Sequence, residues 1–389
     1  VRSDNTGKKE PFVYENNRLQ QDFHMFIGLS ALLAVLGAVF VYSASSLYAL
    51  ERLGSSAHFF YRHLGGMVVA LIGFAVCALV PFSLWQKHAS LVFGTTLGVT
   101  ALTLVPRFGF AMHGMQRWLL WGQYAIQPSE LLKFSLCLYV GYFLAKKQRQ
   151  RLSLSHGYLP LLVVIGVACM VLFNQGDWGT ATLCIATFLI VAFIADCKGM
   201  YLWWTTVGLL PFAGLLAWRY PQSLQRALHF FNPWHDPQGA GHELVQSLIA
   251  IGSGSWWGAG VAYSKQKFFQ LPLQHTEGIF AIIAEEVGFL GCLIMLTGYV
   301  LFALLGIRLA RQMSDPFAAY TVLGCVVLIS LQSMLNILMA VGMLPLTGLG
   351  LPFMSYSGSG LLGLGCMLGL ITNAYHREQV QRIPAQTSW

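Results

Sequence analysis

The 389-residue chain is 56% hydrophobic and only 10% charged, with a mean hydropathy of +0.61, against roughly 25% charged residues in an ordinary soluble domain. That balance excludes a soluble globular enzyme and describes an integral membrane protein. The formal net charge of +8 is no nucleic-acid footprint, because Lys and Arg gather in alternate connections between apolar runs, where they set membrane orientation.

Residues 1–22 are polar and carry Arg2, Lys8, Lys9 and Arg18, and the first apolar run follows at 23–42. Ser43-Ala44-Ser45 could mark a signal-peptidase site, but a run of about twenty residues exceeds the usual h-region and reads as a first membrane span. Further runs at 64–80 and 89–105 supply spans two and three. The next connection, "HGMQRWLLWGQYAIQPSELLKF", holds Arg117 beside Trp118. Such a pair is either an interfacial anchor with a snorkelling cation or a planar fork for phosphate. At the head of span four (131–145), Glu130 and Lys133 stand at i and i+3 on one helical face. That spacing permits a buried ion pair, serving as a strut between helices or as the floor of a polar cavity.

Spans five (158–173) and six (179–195) flank "NQGDWGTA", where Asp177 is placed to cap a helix. Span seven (201–218) precedes a connection of about sixty residues, 219–278, far beyond ordinary loop length. Its "FFNPWHDPQGAGHELVQS" gathers Asn232, His235, Asp236, His242 and Glu243, but the irregular spacing and absence of an H-E-x-x-H pattern argue against zinc. "ELVQSLIAIGSGSWWGAGVA" is apolar yet broken by glycines, which fits a re-entrant or interfacial helix better than a span. Lys265, Lys267, His275 and Glu277 come next, and a carboxylate among cations in apolar surroundings is either a general base or part of a solvated loop.

Span eight (279–307) opens with Glu285 and Glu286, of which Glu286 reads as a structural partner. Spans nine (320–341) and ten (359–375) flank "LPLTGLGLPFMSYSGSG", whose amides and Ser355, Ser357 and Ser359 could hold sugar or phosphate oxygens. Residues 376–389 form a tail. The eight cysteines are scattered without a C-x-x-C pair and read as small core residues. The expected fold is therefore an all-α polytopic membrane protein. It has about ten transmembrane helices, a large extracytoplasmic loop between helices seven and eight, and both termini cytoplasmic by the excess of inner Lys and Arg.

Taken together, "VYSASS", "RWLLWGQYAIQPSELLKF", "QGDWGTA", "FFNPWHDPQGAG", "QLPLQHTEGIFAIIAEEVGFLG" and "LPFMSYSGSG" resemble, in order and placement, the SEDS family of bacterial shape, elongation, division and sporulation proteins. "FFYRHLGG" and "WGQYAIQPSE" lean toward the division branch typified by FtsW, and "LPLTG" toward the RodA elongation branch. The resemblance implies a peptidoglycan glycosyltransferase that polymerises lipid II at the outer face of the bacterial cytoplasmic membrane, including the division septum. A class B penicillin-binding protein would be its transpeptidase partner. A lipid II flippase and a weakly active scaffold for that transpeptidase are the alternatives.

Carried over residue by residue, the family's essential aspartate in "HTDF" falls on Glu277 of "HTEG", as catalytic base. Arg117, Trp118, Glu130, Lys133, Arg226, Lys267, His275, Ser355 and Ser357 would contact substrate, with Gln127, Asp177, Asn232 and Glu286 as the polar surround. No resident metal is implied, although a divalent cation (Mg or Mn) could assist the leaving pyrophosphate. Departures from the family pattern are Glu277 and Gly278, Leu273 in place of an acid, His242-Glu243 in place of an aromatic and Gln, and Ser357 in place of glycine.

Overall fold

The computed structural model describes residues 11–112, 115–122, 124–148, 153–219, 230–239, 241–264 and 276–382. Its helices are α1 (Pro11–Leu53), α2 (His58–Leu79), α3 (Phe82–Leu102), α4 (Pro128–Lys146), α5 (Leu159–Asn174), α6 (Trp178–Ile194), α7 (Gly199–Arg219), α8 (His242–Ser253), α9 (Ile279–Arg311), α10 (Pro316–Ala340) and α11 (Gly358–Arg382). Each of the ten apolar runs falls on one of them. By length and apolarity, five helices among the described residues qualify as membrane-crossing: Asn17–Leu53, His58–Leu79, Leu154–Asn174, Ile279–Arg311 and Pro316–Ala340. The outward faces carry Leu71, Ile72, Leu79, Phe193 and Ile294, all exposed. In water such a surface would be an aggregation liability; against lipid it is the stable arrangement.

Close backbone approach holds α2 against α11. A Cβ added at Gly365 would lie 2.2 Å from the Ala70 carbonyl oxygen, and one at Gly369 2.3 Å from that of Phe74. Only glycine fits such a seam, and small-residue packing of this kind replaces the missing hydrophobic drive between helices in lipid.

The chain is not all-α, which corrects the expectation. Strands β1 (Gly109–Met112), β2 (Met115–Trp121) and β3 (Tyr124–Ile126) form an antiparallel sheet in the order β1-β2-β3, with Phe110 opposite Trp118 and Leu119 opposite Ile126. The aromatic and large apolar residues of β2 favour strand over a loop, and three short strands satisfy one another's backbone groups outside any helix.

The glycine-broken segment after span seven divides in two. Its first part is α8, and the rest packs into an interruption of α9. There Gly288 adopts φ 66° and ψ −170°, a conformation open essentially to glycine alone. The amides of Phe289 and Leu290 bond to the carbonyls of Ser255 and Trp256 at 2.9 and 3.2 Å, while those of Ala259 and Gly260 bond to Glu285 and Glu286 at 2.9 and 3.0 Å. Residues 255–260 thus satisfy backbone groups that the helix break would leave bare.

Candidate functional site

Four helices begin at one place. Pro128 opens α4, where its missing N–H costs nothing, with Glu130 in the first turn. Asp177 caps α6 by accepting from the Thr180 amide at 3.3 Å. Ser357 accepts from the Gly360 amide at 3.0 Å at the start of α11, and Glu277 lies one residue before Gly278, the cap of α9.

Hydrogen bonds join these ends. The Gln127 amide N–H donates to Ser359 Oγ at 2.9 Å, and its side-chain Nε2 donates to Asp177 Oδ2 at 3.1 Å. Ser129 Oγ donates to the same carboxylate oxygen at 3.1 Å. Each helix N-terminus contributes partial positive charge, so their meeting favours an anion.

Arg117 reaches into this junction from β2. Its Nη1 lies 3.8 Å from Asp177 Oδ1 and its Nη2 3.4 Å from Glu277 Oε1. Asp177 is 1% exposed, Arg117 9% and Glu277 20%, so the glutamate is the member that opens outward. The buried Nε of Arg117 has no acceptor among the described residues. Gly348 lies against the pair: at φ +83°, a Cβ there would sit 3.1 Å from Glu277 Oε1 and 3.3 Å from Arg117 Nη1.

A second ion pair lies within the bundle. Lys133 Nζ contacts Glu130 Oε2 at 2.8 Å and is 1% exposed. It also donates to Gln332 Oε1 at 2.8 Å, and Gln332 Nε2 donates to the Gly350 carbonyl at 2.8 Å. Truncating one partner of such a pair leaves a buried charge uncompensated, at a cost of about 3–5 kcal/mol.

Several expected site residues are engaged within the protein. Ser355 Oγ accepts from the Leu351 amide at 2.6 Å and donates to the Thr276 carbonyl at 2.7 Å, so it joins two loops. Ser357 is engaged as the α11 cap. Trp118 follows Arg117 on β2, and strand alternation sends its Cβ to the opposite face, away from the carboxylates. Asn232 is exposed, ahead of the short turn Pro233–His235. Glu286, buried, accepts from Ser43 Oγ of α1 at 2.5 Å. Arg226, Lys265, Lys267 and His275 lie outside the described residues. Three groups went unread in the sequence: Gln332, Asn336 and Gly348. The signal was there for the first two, since polar residues one turn apart within an apolar span are rarely idle.

The guanidinium of Arg117 contacts both carboxylates of this junction, and among the described residues no group of three or more His, Cys, Asp or Glu assembles that could hold a metal by itself.

A family model described as "Cell cycle protein", covering FtsW, RodA and SpoVE, matches residues 23–380. Stage V sporulation protein E of Bacillus subtilis is 32% identical over 350 residues, covering 90% of this chain and 95% of the relative. The probable peptidoglycan glycosyltransferase FtsW of Thioalkalivibrio sulfidiphilus is 36% identical over 372 residues, 94% of this chain and 92% of the relative. Among solved structures, the rod shape determining protein RodA of Thermus thermophilus superposes with a TM-score of 0.67 at 25% identity, covering 91% of this chain and 96% of that one. A chain from a study of polymerization and crosslinking by a peptidoglycan synthase complex superposes with a TM-score of 0.74 at 23% identity, covering 91% and 97%.

Proposed function

This chain belongs to the FtsW, RodA and SpoVE family of cell cycle proteins, and on that premise we propose that it is a peptidoglycan glycosyltransferase whose base is Glu277. It polymerises lipid II into glycan strands. The observation that carries the assignment of the base is the Arg117–Glu277 contact at the junction of four helix N-termini.

The ten apolar runs cross the cytoplasmic membrane of a bacterium, within a membrane domain spanning 23–375. Both termini are inside, and residues 219–278 lie outside. The helix ends that meet at Glu277 then face the outer leaflet, where the lipid-linked sugars are. A hydroxyl of one lipid II attacks the anomeric carbon of another from the face opposite its pyrophosphate, inverting α to β. Glu277 takes the hydroxyl proton, a role worth typically about 10² to 10⁴ in rate.

The C–O bond to pyrophosphate breaks as the new glycosidic bond forms. The leaving group is already a stabilised anion, so no acid is required. Arg117 places positive charge beside the base, and the converging helix ends add fixed positive potential that needs no reorganisation during reaction. The Glu130–Lys133 pair keeps a polar floor beneath the headgroup. A class B penicillin-binding protein serves as the crosslinking partner, as the family resemblance implies.

Purified protein with labelled lipid II tests the assignment. Glu277→Gln is expected to lose glycan chains by 10² or more. Glu277→Asp withdraws the carboxylate by about 1.5 Å, away from Arg117, and is expected to fall by about 10-fold to 10²-fold. Chains formed at the wild-type rate by the Gln variant would rule Glu277 out as the base.

A further inference from the structure

α10 is long and apolar enough to cross the membrane, yet it carries Gln332 and Asn336 one turn apart, both buried. An unsatisfied amide in that environment costs several kcal/mol, so what these side chains bind is informative. Asn336, 2% exposed, donates through Nδ2 to two carbonyl oxygens, Glu277 at 3.1 Å and Leu349 at 2.6 Å. Both partners are acceptors, which fixes the orientation of the amide. One side chain therefore fastens the backbone of the candidate base to the loop that carries Gly348.

Two neighbours extend the clamp. Ser355 holds the Thr276 carbonyl, so successive carbonyls at 276 and 277 are both gripped from outside their own segment. Gln332 holds the Gly350 carbonyl while accepting from Lys133. The loop bearing on the Arg117–Glu277 contact is thus pinned to α10 at Leu349 and at Gly350.

We propose that Asn336 is a positioning residue for Glu277: it fixes the backbone from which the carboxylate projects, and Gln332 ties the same loop to the Glu130–Lys133 pair. The proposal rests on the reading of Glu277 as base. A glutamate arm has several rotatable bonds, so anchoring the backbone beneath it limits where the carboxylate can go. Release of the clamp lets the carboxylate wander by about 1 Å, which can cost about 10²-fold.

The test uses the full-length protein in detergent with labelled lipid II, kcat being expressed per lipid II-binding site so that misfolded material does not count. Asn336→Ala is expected to lower kcat by about 10-fold to 10²-fold with KM within about threefold. Asn336→Asp, which presents acceptors to two carbonyls, is expected to be at least as slow. Because the clamp acts through the base, adding Asn336→Ala to Glu277→Gln should slow the enzyme no further. Should Asn336→Ala fail to fold, Asn336→Leu, of similar size and without a donor, carries the same measurement. A wild-type kcat in either variant, with Glu277→Gln inactive, overturns the positioning role alone; a fully active Glu277→Gln overturns the base and the clamp together.

Discussion

Gly348 shows how closely the site is built. With φ at +83° and Glu277 Oε1 3.1 Å from where a Cβ would be, alanine there meets a conformational cost of about 1–2 kcal/mol and also crowds the carboxylate. Gly348→Ala is expected to reduce polymerisation by at least about 10-fold while the thermal midpoint in detergent falls only modestly. A variant with full activity would show that the loop tolerates the methyl group and that the contact with Glu277 is incidental. Some neighbouring residues were legible from spacing alone. The Glu130–Lys133 pair follows from i, i+3 geometry, and the Asp177 cap from its place before an apolar run. Ser355 was not legible: its acceptor, the Thr276 carbonyl, is 79 residues away, and a hydroxyl that crosslinks loops has the same local sequence as one that binds sugar.

Helix ends carry the next scale of control. At the far end of α11, Glu378 accepts from the Ser314 amide at 2.9 Å, the Ser314 hydroxyl at 2.7 Å and Arg382 Nε at 2.8 Å. Burial pushes its carboxyl upward, but these donors outweigh burial and hold it below the ordinary value of 4.5. A depressed folded-state value means that the stabilisation is fully present above the ordinary value and is lost as pH falls through the lower, folded one. Acidification below about 4.5 should therefore loosen the junction between α11 and the turn linking α9 to α10. Amide protection at 312–315, corrected for the intrinsic pH dependence of exchange, would report it, and Glu378→Gln should remove the pH dependence; unchanged protection in the acidified wild type would count against the Glu378 contacts. The short sheet is the element least visible beforehand. Its strands are too brief for a periodic signal, and their pairing depends on partners across two turns.

At the scale of the bundle, stability rests on fit between helices, because lipid offers no hydrophobic drive for them to associate. The α2–α11 seam is the clearest case. Gly365→Leu forces the backbones apart at a point where even a Cβ would meet the Ala70 carbonyl oxygen, and overpacking of this kind costs about 1–3 kcal/mol or more. A clear drop in thermal midpoint is expected, together with lost activity, since α11 also carries Ser357 and Ser359 to the site; an unchanged midpoint would mean the seam is looser than its geometry implies.

The membrane class, the ten helical runs and the polar motifs at their ends follow from the chain itself, because hydropathy and helical period are local properties that neighbours in sequence express without help. Which motifs meet is another matter. Arg117 and Glu277 are 160 residues apart, and Asn336 reaches Glu277 across 59. Such meetings depend on how the helices cross and on which face each presents, and those are settled by the sum of contacts over the whole bundle. Tertiary structure alone therefore decided that an arginine, a glutamate and a glycine from three distant connections share one junction, and that two amides on α10 hold it in place.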